Sequence, residues 1–168
     1  MTGIGLRAPR QTVSRRAIPY WTVRALLGWL VLAGVQCFLL VVRRGPFGAH
    51  SPAVLSVTLA VTIVLAIAHL LVMPRWRFRV HRWEITPTAV YTQSGWFDQE
   101  WRIAPISRIQ TVDTERGPLE QLFGLAKVTV TTASAAGPLH IKVLDTQTAQ
   151  RVAEDLAAAA GLGGGDAT

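Results

Sequence analysis

The sequence predicts an α+β protein in two parts, a pair of membrane-spanning α-helices followed by a small antiparallel β domain closed by a C-terminal α-helix. Three observations carry that expectation. Ala25–Val42 is 18 residues without a charge, and Ala53–Met73 is 21 residues interrupted only by His69. Residues 1–83 hold eleven arginines and no acidic side chain, whereas residues 84–168 hold six basic and ten acidic residues. After Trp83 the apolar period changes from helical to alternating.

At 1.5 Å per residue the two apolar runs reach roughly 27 and 31 Å, against a hydrocarbon core of roughly 30 Å. Each is long enough to cross once, and Arg43–Pro52 leaves room only for a tight turn between them. Arg7, Arg10, Arg15, Arg16 and Arg24 precede the first span, and Arg75, Arg77, Arg79 and Arg82 follow the second. The turn carries only Arg43 and Arg44. Basic residues at span ends stay on the cytoplasmic side, so both termini are expected there. Tyr20, Trp21 and Trp76 stand where interfacial aromatics belong.

A cleaved leader fits the first span less well. Eighteen residues is long for its apolar region, arginines follow directly, and no small-x-small site ends it. Ser14-Arg15-Arg16 is a weak twin-arginine pattern continued poorly by Ile18-Pro19.

Charge excludes nucleic acid as a partner. The two halves carry +11 and −4, the components of the total +7, so the high isoelectric point belongs to the membrane half. The β domain would gain nothing from phosphate contacts. Cys37 is the single cysteine and lies within a span, so neither a disulfide framework nor a thiolate metal site is expected.

The expected division is a basic N-terminal tail over 1–19, a helical hairpin over 20–75, a folded domain over 76–160 and a flexible tail over 161–168. In the domain, Trp83 and Ile85 alternate with charged neighbours, and Pro87-Thr88 turns the chain. Ala89–Ser94 reads as a second strand with its reversal at Gly95. Asp98–Ile103 puts Trp101 and Ile103 on one face and Glu100 and Arg102 on the other. Ile106–Glu115, Lys127–Ala133 and Leu139–Val143 complete six short strands, an antiparallel meander closing on itself.

Leu119, Leu122 and Phe123 lie at i, i+3 and i+4, a single apolar helical turn stopped by Gly124 and expected to plug one end of the sheet. Asp145 is a good N-cap for a last helix whose stripe is Val152, Leu156 and Ala159 and whose end is Gly161. Gly163-Gly164-Gly165 begins a loose tail.

A curved antiparallel sheet capped by one C-terminal helix is the plan of the pleckstrin-homology superfold. Trp83-Glu84-Ile85-Thr86, Gly95-Trp96-Phe97, Ile106-Ser107-Arg108-Ile109-Gln110-Thr111-Val112 and Gly117-Pro118-Leu119-Glu120 with Phe123-Gly124-Leu125-Ala126 strengthen the likeness. In this order they resemble the bacterial pleckstrin-homology-like (PH) domain of small membrane-flanked proteins, in which two spans precede one such domain. The likeness covers about residues 20–160. It implies a partly open barrel and a binding or scaffolding role without cofactor, since this fold hosts lipid binding, peptide binding and scaffolding alike. Phosphoinositide-binding relatives hold the headgroup with cations around the first hairpin; here that turn is Thr86-Pro87-Thr88.

Four sets of residues are candidates for function. Arg75, Arg77, Arg79 and Arg82 face either a topogenic role or anionic headgroups, each worth roughly 1 kcal/mol there. Trp96, Leu119 and Phe123 would anchor a protein partner if exposed. His69 lies four residues before Met73 and reads as a neutral interfacial imidazole. Asp113, Glu115 and Glu120 read as solvated charges, and no Ser-His-acid set, metal-ligand spacing or phosphate-cradling glycine loop is visible, so catalysis is not expected. The expected partners are the bilayer and a membrane-associated protein bearing a basic surface. A free sheet edge would accept a partner strand. Gly28, Ala33 and Gly34 permit close packing on the second span, on another protein, or on a second copy in a homo-oligomer.

Overall fold

The computed structural model describes residues 8–42, 52–96, 98–134 and 137–162. Arg7, the turn with Arg43, Arg44 and His50, Phe97, and the Gly163-Gly164-Gly165 tail lie outside the described residues.

The chain divides into two compact units. One is Pro19–Arg75; the other joins the segment up to Ile18 with everything from Trp76 onward. The first unit is made of helix α1 (Ala17–Val42) and most of helix α2 (Pro52–Val80). Ala17–Val42 and Ser56–Val80 are both long and apolar enough to cross a membrane. Two side-chain hydrogen bonds tie the helices together. Trp29 Nε1 donates to His69 Nδ1 at 2.8 Å, and Gln36 Nε2 donates to Thr62 Oγ1 at 2.9 Å. Thr62 in turn donates to the Thr58 carbonyl. Gly28 and Gly34 meet nothing within 4 Å, so they do not serve as the packing seam on the second helix.

Helix α2 passes through Pro74, which lacks an N–H and so leaves a carbonyl one turn earlier without its helical donor. The helix nevertheless continues to Val80 and carries the arginines with it.

The second unit is two open antiparallel sheets and a closing helix. Strands β1 (Gln11–Thr12), β2 (Arg82–Ile85), β3 (Ala89–Gly95) and β4 (Gln99–Pro105) form one sheet in that order. A 3₁₀ turn, Ile106–Arg108, leads to the second sheet of β5 (Ile109–Glu115), β6 (Leu125–Thr132) and β7 (Leu139–Asp145), again in chain order. The strands do not close on themselves as the alternation alone suggested. The short helix α3 (Pro118–Leu122) separates β5 from β6, and α4 (Thr146–Ala159) follows β7 with Asp145 at its N-cap.

Register follows from the pleat. Trp83 faces Thr92 and Ile85 faces Val90 across β2–β3, while Val90 faces Ala104 across β3–β4. Trp83 and Val90 are buried, as are Val128, Val130 and Ile141 of the other sheet, and β3 and β4 lie against β7. Ala149, Val152 and Leu156 of α4 are buried, and the closing helix packs on β5, β6 and β7. Burying Leu156 alone contributes roughly 1.5–3 kcal/mol. Gly95, at φ 132°, makes the β3–β4 reversal, where an added Cβ would fall 1.8 Å from the Asp98 carbonyl oxygen.

The segment before α1, expected as a tail, is drawn into this sheet. Gln11 and Thr12 pair with Trp83 and Arg82, and the Arg10 N–H donates to Glu84 Oε2 at 3.1 Å. Pro9, Val13 and Ala17 are buried. The chain leaving for the first span and the chain returning from the second therefore run side by side as β1 and β2.

Candidate functional site

Four surfaces are candidates for a binding role. The first is the end of α2. Arg75 and Arg79 stand one turn apart on one exposed face, and Arg82 follows the helix end. Arg75 Nη1 donates to the Leu71 carbonyl at 2.7 Å, and Arg82 Nε donates to the Arg79 carbonyl at 3.2 Å. Arg77 does not join them. It is half-buried and faces His81, one turn later on the same side of the helix. His81 is only 4 % exposed; burial first, and then the Arg77 charge, push its pKa down to about 4. In its neutral form Nδ1–H donates to the Arg77 carbonyl at 2.9 Å.

The second surface is aromatic. Trp76 and Trp96 are each 46 % exposed, and Trp76 Nε1 donates to the Trp96 carbonyl at 3.1 Å. The turn joining β3 to β4 is thereby fastened beside the end of α2.

The third is a cleft of about 290 Å³ along β4, the free edge of the first sheet. It is lined by Trp101 to Pro105 together with Arg108, Ser134 and Leu139. Ile103 is 49 % exposed although it is aliphatic. Arg102 donates to the Pro138 carbonyl and, at 3.1 Å, to the Gly137 carbonyl, which pins the β6–β7 turn to the cleft mouth. Arg108 is exposed at the rim.

The fourth is α3. Leu122 is 78 % exposed, and Leu119 and Phe123 are half-buried, so no residue of this turn is buried as an end plug. The i, i+3, i+4 spacing places the three near one another but cannot say whether anything covers them.

The acids expected as solvated charges make local structure. Glu120 accepts from the Gly117 N–H at 2.8 Å, closing the start of α3. Glu115 bridges to Lys127 at 2.9 Å and accepts from Thr129 at 3.1 Å. The Lys127 hydrogen bond, then that from Thr129, hold the Glu115 carboxyl below its ordinary range. Asp113 accepts from Thr111 at 3.0 Å. Among the described residues no group of three His, Cys, Asp or Glu side chains is placed to hold a metal ion.

Sequence reasoning missed the Gln36–Thr62 bond, the β1 pairing, the Trp76–Trp96 tie and the β4 cleft. Only the first had a visible signal, a lone amide within an apolar run.

Comparison with known proteins is consistent with this geometry. The UPF0699 transmembrane protein YdbS of Bacillus subtilis (strain 168) is 27% identical over 151 residues, which cover 88% of this chain and 91% of that protein. No solved structure matches the chain. A family model described as Bacterial PH domain matches residues 22–160, a stretch that takes in nearly all of both apolar helices, both main sheets and the closing helix. The chain belongs to the bacterial PH domain family.

Proposed function

We propose that the protein is a membrane-tethered binding module: two spans hold a PH-like domain at the cytoplasmic face of a bacterial cytoplasmic membrane, where it recruits or stabilises a membrane-associated protein. Both termini lie on the cytoplasmic side. The membrane reading is supported by the two apolar helices and by the likeness to a transmembrane protein of Bacillus subtilis. The arginine distribution supports the orientation.

The observation that carries the binding role is the cleft beside β4. An edge strand presents unpaired N–H and C=O groups, and an extended partner segment satisfies them while its side chains enter adjoining pockets. Trp101 and Ile103 offer apolar contact there, and Arg108 offers a charge for a carboxylate on the incoming strand. Beyond the cleft, the −4 charge of residues 84–168 suits a partner with a basic surface and opposes broad adhesion to an anionic leaflet.

A second reading, recognition of anionic lipid, is favoured by the shared exposed face of Arg75 and Arg79 with Arg82 beyond it.

One purification separates the two. The tagged full-length protein is taken from its native membrane in gentle detergent, and bound proteins and lipids are identified by mass spectrometry. A near-stoichiometric protein lost in Ile103→Glu and Arg108→Glu variants establishes the partner reading. An enriched anionic lipid lost when Arg75, Arg79 and Arg82 become Gln, with no such protein, establishes the lipid reading instead.

A further inference from the structure

Trp76 lies three residues after Met73, where the apolar run of α2 ends. Three helical residues rise roughly 4.5 Å, less than the depth of one headgroup layer, which is roughly 5–7 Å thick on each side of a bilayer. The indole of Trp76 therefore sits at the level at which amphipathic rings collect, with an apolar body toward the chains and an N–H toward polar groups. In this protein that N–H has a partner within the chain. It donates to the main-chain carbonyl of Trp96 at 3.1 Å.

The bond has a geometric consequence. The β3–β4 turn is brought to within one indole of the helix at headgroup depth, and it presents a second large aromatic there. Trp76 and Trp96 each leave about half their surface uncovered by protein, at 46 %. Two half-exposed indoles are costly in water and favourable in the headgroup layer. The sequence places a third aromatic, Phe97, next in the chain.

Charge agrees with a lipid occupant. Arg75 and Arg79 flank Trp76 on α2, and Arg82 follows, so the local field is positive although residues 84–168 as a whole are acidic. Asp98, exposed in the same turn, limits how far the turn sinks, since a carboxylate keeps its water. Glu100 is exposed one residue beyond Gln99, near Arg102, on the side of the turn leading away into β4.

We infer that the β3–β4 turn, through Trp96 and with Trp76 as its anchor, is a third membrane contact that rests in the headgroup layer of the cytoplasmic leaflet. The partner is the lipid surface itself rather than one headgroup, because indoles and three arginines carry no stereospecific pocket. A domain with this contact meets the membrane at the turn as well as through its covalent junctions to α1 and α2.

The inference rests on the spanning reading of α2 and is independent of any partner at the cleft. The full-length protein carrying Cys37→Ser and Asp98→Cys is labelled with an environment-sensitive fluorophore and reconstituted in phosphatidylglycerol–phosphatidylcholine vesicles. Resistance of the protein to alkaline extraction is checked first; extraction would sink the spanning reading, a failure distinct from that of the turn. Leu122→Cys, labelled in the same way, is the solvent-exposed reference. The expected result is quenching at position 98 by lipid carrying a shallow spin label, with a blue-shifted emission and protection from aqueous iodide. Trp96→Gln should abolish that difference from position 122, and Trp76→Phe, which keeps the ring and removes the donor, should reduce it. Iodide access equal to that at position 122 would overturn the proposal. So would protection from iodide without lipid quenching, which would mean that a second copy of the chain covers the turn.

Discussion

The main-chain N–H of Ser14 donates to the carbonyl of Val143 at 3.1 Å, and Val143 is held at φ 54°. A β-branched residue in the left-handed region is strained by roughly 1–3 kcal/mol. The cause is a bulge: Ala126 pairs with Leu144 and Val128 with Ile141, so Lys142 and Val143 together face Lys127 alone. The bulge turns the Val143 carbonyl out of the ladder toward the N-terminal segment, whose Val13 is buried nearby in sequence. Relief at Val143 should therefore show against an unstrained neighbour. Val143→Gly is expected to destabilise the domain by clearly less than Val128→Gly, with a difference of about 1–2 kcal/mol, although both side chains are buried. Chemical denaturation in mild detergent measures the comparison; equal losses would mean that no strain is stored at the bulge.

The same bond shows where sequence reading reaches its limit. Gln11-Thr12 has no apolar alternation, and its partner strand begins about 70 residues later, beyond both helices. Pairing of that kind is decided by what the two spans bring together, so local pattern carries no trace of it. Spans, most strands and α4 are legible because length, alternation and the Val152–Leu156 spacing are local properties. Of the candidate sites, the arginine cluster is legible as composition, but not that Arg77 turns inward to His81. Trp96 stands out in the sequence as an aromatic beside a turn, but its bond to Trp76 joins residues 20 apart on different elements.

Exposure divides two leucines that sequence spacing treats alike. Leu156, on the inner face of α4, is fully buried, whereas Leu122 is 78 % exposed. Leu156→Ala should cost about 2–5 kcal/mol through lost transfer energy and the cavity left behind. Leu122→Lys should change stability by no more than about 0.5 kcal/mol, as for other surface positions. Thermal unfolding of both variants tests the pair, and a large loss at Leu122 would mean that α3 is covered in the folded protein.

His81 makes the domain sensitive to acid. Its pKa is lowered from 6.5 to about 4, by burial first and then by Arg77, with Lys142 adding to the effect and the Arg77 carbonyl opposing it. Between those two pH values the unfolded chain binds the proton and the folded chain does not. Stability contributed by the neutral ring is therefore fully present above pH 6.5 and falls as pH drops toward about 4. At roughly 1.4 kcal/mol per unit, and with residual solvent access, the loss should amount to about 2–3 kcal/mol. His140 is lowered in the same direction by burial and by Lys127 and Lys142, and it leaves a smaller slope behind. His81→Asn should flatten most of the dependence when unfolding is followed across this window. An unchanged slope would assign the acid sensitivity elsewhere.

The bond between Gln36 and Thr62 is the most testable feature of the helical hairpin. Gln36 Nε2 donates to Thr62 Oγ1 at 2.9 Å, within two runs made mostly of aliphatic side chains. In a bilayer those side chains gain little by meeting, because lipid tails are equally apolar, so an interhelical hydrogen bond is a larger share of the association energy. Its worth remains modest, typically about 0.6 kcal/mol and up to about 1.7 kcal/mol. Thr62 also donates to the Thr58 carbonyl, so Thr62→Val frees that carbonyl's extra partner as well as the amide. The single variants Gln36→Leu and Thr62→Val should each weaken the hairpin, and the double variant should lose less than their sum by the coupling of the pair. Unfolding titrations of the four proteins in mixed micelles measure that coupling. Additive losses would show that the two residues act separately, and would leave Trp29 and His69, bonded at 2.8 Å, to hold the helices together.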